Sequence, residues 1–494
     1  MRSADDTKSR DFSVPDNVLE PLFVASNSST LNEALNCLIE VAKTSDGRLD
    51  LSFKHILVPL LEICRSPLQR SGQELLLSIK LLRNLCAGEI KNQDLLVEQN
   101  GVQILSTLIN SVISGYDNGI LRMILQLLGN ISLAGERHCL VVWRQFFPLQ
   151  FLDIARVQRK EICDPLCMVI YTCSKGSNER FAELLADPGL DIIVEIIRTV
   201  SAAGFEEGWV RLLLSKICLE ESCFWSVFSK LSPVADTENS DSNVSQINHF
   251  GAEQAFLLSF LSEILNEGTG DIVVSKEFSS CIFGILRNAF AIIDFSTKGT
   301  SSLPTGSPNI DVVGYTLSIL RDISASDGPK VSNDNEKQDT VDILVSAGLI
   351  KFLITILRDL EPPAIIKKGM FQTEAESGTT IQPYKSCPYQ GFRRDIVAVI
   401  GNCSYHKEHV QDEIRQQDGI LLLLQQCVTD EDNPFLREWG IWSMRNVLEG
   451  NSENQRLVAD LELQRSVDVP EIAGLGLRVE VDPKTRRPKL VNTT

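Results

Sequence analysis

Histidine is scarce in this chain, five among 494 residues, which leaves little material for general acid–base chemistry. Nucleotide fingerprints are missing too. There is no Gly-x4-Gly-Lys-Ser/Thr, Gly268-Thr269-Gly270 lacks the rest of a dinucleotide loop, and no Gly-x-Ser-x-Gly elbow occurs. Basic residues are outnumbered 47 to 65, giving a net charge of −18, the opposite of the basic footprint a nucleic-acid binder needs. No apolar run approaches the roughly 18 residues that span a bilayer. The start, Met1-Arg2-Ser3-Ala4-Asp5-Asp6, has no apolar core behind it, so no secretory signal is expected. The thirteen cysteines include no Cys-x-x-Cys pair. Several, such as Cys64, Cys86, Cys218 and Cys427, sit inside apolar stretches as small hydrophobes. That pattern points to a reducing compartment, the cytoplasm with the nucleus not excluded. Alternating strand-type runs are nearly absent as well.

What is present is helical periodicity. Leu75, Ile79, Leu82 and Cys86 fall at offsets 0, 4, 7 and 11, and Leu121, Ile124, Leu128 and Ile131 at 0, 3, 7 and 10. Phe435, Trp439 and Trp442 fall at 0, 4 and 7. Each set predicts one apolar stripe on a helix, facing the core. One block also recurs: an apolar helix ending in Asn or a stand-in, a turn, a short helix, then Gly opening another apolar helix. Asn84 leads to Gly101, Thr172 to Gly189 and Asn402 to Gly419, each after 17 residues. Similar helix ends lie at Asn130, Asn288, Asp322 and Asn446. The steps Asn84–Asn130, Asn130–Thr172 and Asn402–Asn446 are 46, 42 and 44 residues, the period of armadillo and HEAT repeats. The glycine is expected where the turn needs positive φ or close backbone approach.

The blocks Leu82-Arg83-Asn84-Leu85-Cys86-Ala87-Gly88 and Met444-Arg445-Asn446-Val447-Leu448 look like the third helix of an armadillo repeat with its turn. Asp430-Glu431-Asp432-Asn433-Pro434-Phe435-Leu436-Arg437-Glu438-Trp439, continuing to Glu453-Asn454-Gln455, resembles the C-terminal signature of the ataxin-10 family. The strong part of that resemblance spans residues 385–465. It implies a cytoplasmic protein tied to cell division, development and cell survival, with a C-terminal region capable of self-association.

The expected fold is therefore all-α, a right-handed armadillo/HEAT-type superhelical solenoid of eight to ten repeats, interrupted by long polar loops. The expected layout is an N-terminal tail (1–24), N-terminal repeats (25–232), an acidic Ser-rich linker (233–248), C-terminal repeats (249–465) and a C-terminal tail (466–494). Residues 326–338 and 362–391 lengthen two further turns. The tail around Leu475–Val491 alternates and turns at Asp482-Pro483, which suggests a small hairpin or strap on the last helices.

Two cysteine clusters have metal-like spacing: Cys403, His406 and His409, and Cys163 and Cys167 with Cys173 nearby. Neither supplies four ligands in tetrahedral reach. Solvated turn histidines and packed thiols account for both, so no metal, cofactor or catalytic residue is expected. Candidate partner-binding residues are Trp442 and Asn446, one turn apart on one helix face, with Asn402, Asn84 and Asn130 at the same helix end. Nuclear-import adaptors use such Trp/Asn pairs to hold extended peptides. Here the position one turn before the other asparagines carries Lys80, Gln126 and Ala398 instead, so a repeated clamp is missing. The alternative role for Asn is to satisfy helix-end carbonyls. The reading is a non-enzymatic protein–protein interaction scaffold, with a peptide- or cargo-binding adaptor as runner-up. Partners are other proteins, with possible self-association, and neither nucleic acid nor membrane.

Overall fold

The structure is a computed structural model. It describes residues 14–23, 29–115, 117–204, 208–221, 223–233, 249–268, 274–326, 339–367, 384–461, 477–481 and 488–492. The linker expected at 233–248, most of the loops 326–338 and 362–391, and the start of the tail lie outside the described residues. The chain divides into two compact units: residues 1–236 with 251–264, and 237–250 with 265–494.

The first unit holds α1 (Asp16–Phe23), α2 (Ser29–Val41), α3 (Ser45–Phe53), α4 (Leu57–Arg65), α5 (Gly72–Leu85), α6 (Ile90–Glu98), α7 (Gly101–Ser114) and α8 (Asn118–Ser132). It continues with α9 (Glu136–Phe146), α10 (Leu149–Ala155), α11 (Lys160–Ser174), α12 (Asn178–Leu185), α13 (Asp187–Ala203), α14 (Trp209–Ser215) and α15 (Phe224–Lys230). α14 runs into a π-helical turn, Lys216–Glu220. Every third helix from α2 packs on the next of its kind, making a ladder α2–α5–α8–α11–α14. The helices before them form a second layer, and short helices such as α6, α9 and α12 join the layers. This is the three-helix armadillo repeat.

The stripes Leu75, Ile79, Leu82, Cys86 and Leu121, Ile124, Leu128, Ile131 are buried between the layers. At about 1.5–3 kcal/mol per buried aliphatic side chain, they supply the cohesion that short helices lack alone. The repeating glycine answers close approach. A Cβ on Gly101 would lie 2.6 Å from the Leu96 side chain, and one on Gly189 2.2 Å from the Leu184 carbonyl. At Gly101 the left-handed residue of the turn is the preceding Asn100, at φ 55°.

α16 (Ala252–Glu267) begins in the first unit. The second unit holds α17 (Lys276–Ile292), α18 (Pro308–Ser326), α19 (Thr340–Ser346), α20 (Leu349–Asp359) and α21 (Phe392–Cys403). After them come α22 (Glu408–Gln416), α23 (Gly419–Leu424), α24 (Leu436–Leu448) and α25 (Ser452–Ala459). Here the ladder is α17–α18–α21–α24. Two extended segments pair over its middle: Ser386 N–H donates to Phe295 O (3.0 Å), Gly299 N–H to Cys387 O (2.9 Å) and Gln390 N–H to Ser301 O (2.9 Å). In the tail, β1 (Leu477–Val481) pairs antiparallel with β2 (Pro488–Asn492), Val479 opposite Leu490. The hairpin read from the alternation is there.

Candidate functional site

The functional face of such a ladder is the side of its helices that neither neighbours nor the second layer cover, so the candidate residues are placed by what they touch. Asn446 is 1% exposed, and its Nδ2 donates to Gly401 O on α21 at 3.0 Å. Asn402 does the same to Arg321 O on α18 (3.0 Å), and Asn130 to Arg83 O on α5 (2.9 Å). Asn84 reaches Ile39 O on α2 at 3.5 Å. Each asparagine ties its ladder helix to the carbonyl at the end of the preceding one. A peptide clamp needs a free amide at Asn446, and that amide is committed inside the array.

A glutamine completes the device. Nine residues after Asn84, Gln93 donates to Cys86 O and to Asn130 O, both at 2.8 Å. Nine residues after Asn402, Gln411 donates to Ser404 O (3.3 Å) and Asn446 O (2.9 Å). One buried side chain thus satisfies orphan carbonyls at two successive helix ends. At the last repeat Asn454 takes the place, donating to Val447 O (3.0 Å) and Gln411 O (3.2 Å). The signal was available in the Asn–Gln interval of nine, but polar residues in a short helix read as surface.

The aromatic stripe needs a correction. Phe435, Trp439 and Trp442 were expected against the core; instead Phe435 is 68% exposed, Trp442 46% exposed and Trp439 half-buried. Phe435 precedes α24 in the left-handed region, at φ 65°. The buried stripe is Leu436, Gly440, Ser443, Met444 and Val447. Small residues serve there because neighbours approach closely: a Cβ on Gly440 would meet Gln426 O at 2.7 Å, and Ser443 Oγ donates to Val397 O at 2.9 Å. The large rings are left outside. The Trp442 ring is covered on one face by Arg445, 4.9 Å from its centroid, so the cation that would stack there comes from the chain itself.

On the neighbouring α21 the matching positions are covered. Tyr389, from the segment paired with Phe295–Ser301, is buried and donates its hydroxyl to Asp395 Oδ2 at 2.9 Å. Burial pushes the Asp395 carboxyl up, against the pull of Arg394. On α18, Asp311 Oδ1 accepts from Thr305 Oγ1 at 2.8 Å, and Leu303 lies so close to Gly314 that a Cβ there would meet it at 2.4 Å.

The cysteine and histidine clusters serve packing. Cys403 is buried; His406 stacks on Tyr405, ring centroids 4.1 Å apart; His409 Nε2 lies 3.1 Å from Asp342 Oδ1. Lys407 pairs with Asp339 and Asp342, tying this turn to the start of α19. Among the described residues no three His, Cys, Asp or Glu side chains are grouped for a metal. Burial pushes the Cys64, Cys86 and Cys218 thiols up to about 12, which makes them poor nucleophiles. A cleft of about 570 Å³ opens in the first unit beside the π-helical turn, lined by Tyr171, Lys175, Phe181, Leu185 and Lys216 among others. The turn itself, Lys-Ile-Cys-Leu-Glu, holds no asparagine to close it. No described helix is by itself long and apolar enough to cross a membrane.

Comparison with known proteins places this architecture. The family model described as the spinocerebellar ataxia type 10 protein domain matches residues 392–490, from the start of α21 into β2. Ataxin-10 of Xenopus tropicalis is 25% identical over 362 residues, 72% of this chain and 67% of that protein. Human ataxin-10 is 26% identical over 364 residues, 72% and 68%. The ataxin-10 homolog of Dictyostelium discoideum is 38% identical over 92 residues, 19% of this chain and 15% of the other. Among solved structures, a designed armadillo repeat protein in complex with the peptide (KR)4 matches with a TM-score of 0.35 and 16% identity, covering 45% of this chain and 92% of its own.

Proposed function

For a chain that belongs to the ataxin-10 family, we propose a non-enzymatic scaffold that works in the cytoplasm in support of cell division, development and cell survival, and that associates with itself through its C-terminal repeats. The observation that carries the self-association is the bare side of α24. Ser443 of α24 docks on Val397 of α21. The residue of α24 that corresponds to Val397, 44 positions on, is Ile441, and it is 53% exposed. It stands where a following ladder helix would pack, and no described helix takes that place. A repeat array must cover its last apolar face, under a cap or against another molecule.

Light scattering on the intact protein and on Ile441→Glu tests this. The intact chain is expected to run as an oligomer, and the variant as a single chain with an unchanged melting point. A strictly monomeric intact protein at micromolar concentration overturns it. The contact has to outweigh repulsion between chains of charge −18, so its strength should rise as salt screens that charge. No observation favours the cargo-adaptor reading, because the amide it needs at Asn446 is taken.

A further inference from the structure

Two guanidinium groups in the first unit have no carboxylate partner among the described residues. Arg83 of α5 donates through Nε and Nη2 to Asn84 Oδ1 (3.2 and 2.8 Å), and through Nη1 to Gln126 Oε1 (2.8 Å) and the Met123 sulfur (3.2 Å) on α8. All of these acceptors are neutral. Arg122 lies one turn before Gln126 on α8, half-buried, with Nε buried and without a hydrogen-bond partner. Lys80, one turn before Asn84, is half-buried too and lies in no ion pair with a described residue. Elsewhere the chain neutralises such groups. Arg180 pairs with Glu136, Arg321 with Asp322, Arg394 with Asp395, and Arg415 with Asp412 and Glu453. Arg83 instead faces a like charge, and burial together with Arg122 holds its guanidinium below the usual arginine range.

These side chains share one face. Lys80 and Gln126 precede their ladder asparagines by four, as Trp442 precedes Asn446, and Arg83 precedes Asn84 by one, as Arg445 precedes Asn446. This is the face that α24 leaves open. Half-burying a charge without a counter-ion is unfavourable, and two such charges on adjacent ladder helices make a site for anions.

We propose that Arg83 and Arg122, with Lys80 beside them, bind the carboxylates of an extended acidic segment of a partner protein lying across α5 and α8. Alternate side chains of an extended strand are about 7 Å apart on one face, close to the roughly 8–10 Å between packed helices. Acidic residues at every second position therefore reach both arginines. Guanidinium binds carboxylate in a two-pronged, charge-assisted contact. A nucleic acid would present a long polyanion to a protein of charge −18, whereas a short acidic segment brings only the charge the site neutralises.

The inference rests on the scaffold reading and names one partner chemistry for it. The test is fluorescence anisotropy on the full chain with a labelled decapeptide alternating Asp and Ser. Binding should saturate, weaken with added salt, and fall about tenfold in Arg83→Gln/Arg122→Gln, the loss expected for one charge-assisted contact. Arg122→Gln alone, which removes no contact with a described residue, should weaken binding without moving the melting point. Three results overturn the assignment: equal binding of the Asn/Ser decapeptide, unchanged binding by the double variant, or tighter arginine-dependent binding of a single-stranded RNA of similar length. If the peptide fails while the intact chain still oligomerises through α24, the acidic-partner assignment falls and the scaffold reading stands. If oligomerisation fails as well, both fall.

Discussion

Helices α21 and α24 are neighbours in the same ladder, 44 residues apart in register, and their open faces have opposite fates. On α21 nearly every residue is buried, because Tyr389 and its segment lie over Asp395. On α24 the matching face carries Phe435 and Trp442 in the open. The difference lies outside the repeat. α21 is preceded by a long insertion whose end returns across the ladder, whereas α24 is preceded only by the short turn after α23. In this fold a groove is open or closed according to the loops around it, while the repeat sets the register. The first unit has the same open face with charge in place of aromatics, at Lys80, Arg83 and Arg122.

The sharpest break in that comparison is Tyr389→Ala. It removes a fully buried ring packed on Phe392, and should cost about 3–5 kcal/mol in chemical denaturation, whereas Trp442→Ala should cost less than about 1 kcal/mol. Equal costs would mean that the two faces are covered alike. Next comes Gly401→Ala. Its Cβ would lie 2.2 Å from Ser443 Oγ and 3.0 Å from the Ser443 backbone, so helices α21 and α24 must part, at about 1–3 kcal/mol. A neutral result would show that the pair is looser than its hydrogen bonds indicate. Asn446→Ala should cost about 1–3 kcal/mol by leaving Gly401 and the buried end of α24 without their amide, and half-buried Asn130→Ala should cost less. The smallest effect is electrostatic. With its carboxyl pushed up by burial, Asp395 binds its proton more tightly folded than unfolded. Stability should therefore decline as pH rises from the unfolded value near 4 to the raised folded one. Asp395→Asn should flatten that slope in a pH series of melting curves; an unchanged slope would assign it to other groups.

The ladder asparagines were legible by spacing, yet their task was not. Asn84, Asn130, Asn402 and Asn446 recur at the repeat period whether they grip a peptide or a neighbouring helix, since either role needs an amide at that place. Only the position of the next helix end decides between them. Gln93 and Gln411 were passed over because a glutamine in a short polar helix carries no apolar signal, although each bridges two helix ends. Phe435, Trp439 and Trp442 misled in the other direction. Large apolar residues at helical spacing normally mark the core, but here Gly440 and Ser443 occupy the core side because the neighbouring backbone leaves no room for more.

The sequence by itself determined the helical repeats, their period, the resemblance to the ataxin-10 family and the hairpin in the tail, because periodicity and turn chemistry are local properties of the chain. Tertiary structure alone decided which face of each ladder helix is covered, which amides are already spent, and which charges are left without a partner. Those depend on contacts between residues some 40 or more positions apart, such as Arg83 with Gln126 and Asn446 with Gly401, and no local pattern encodes them.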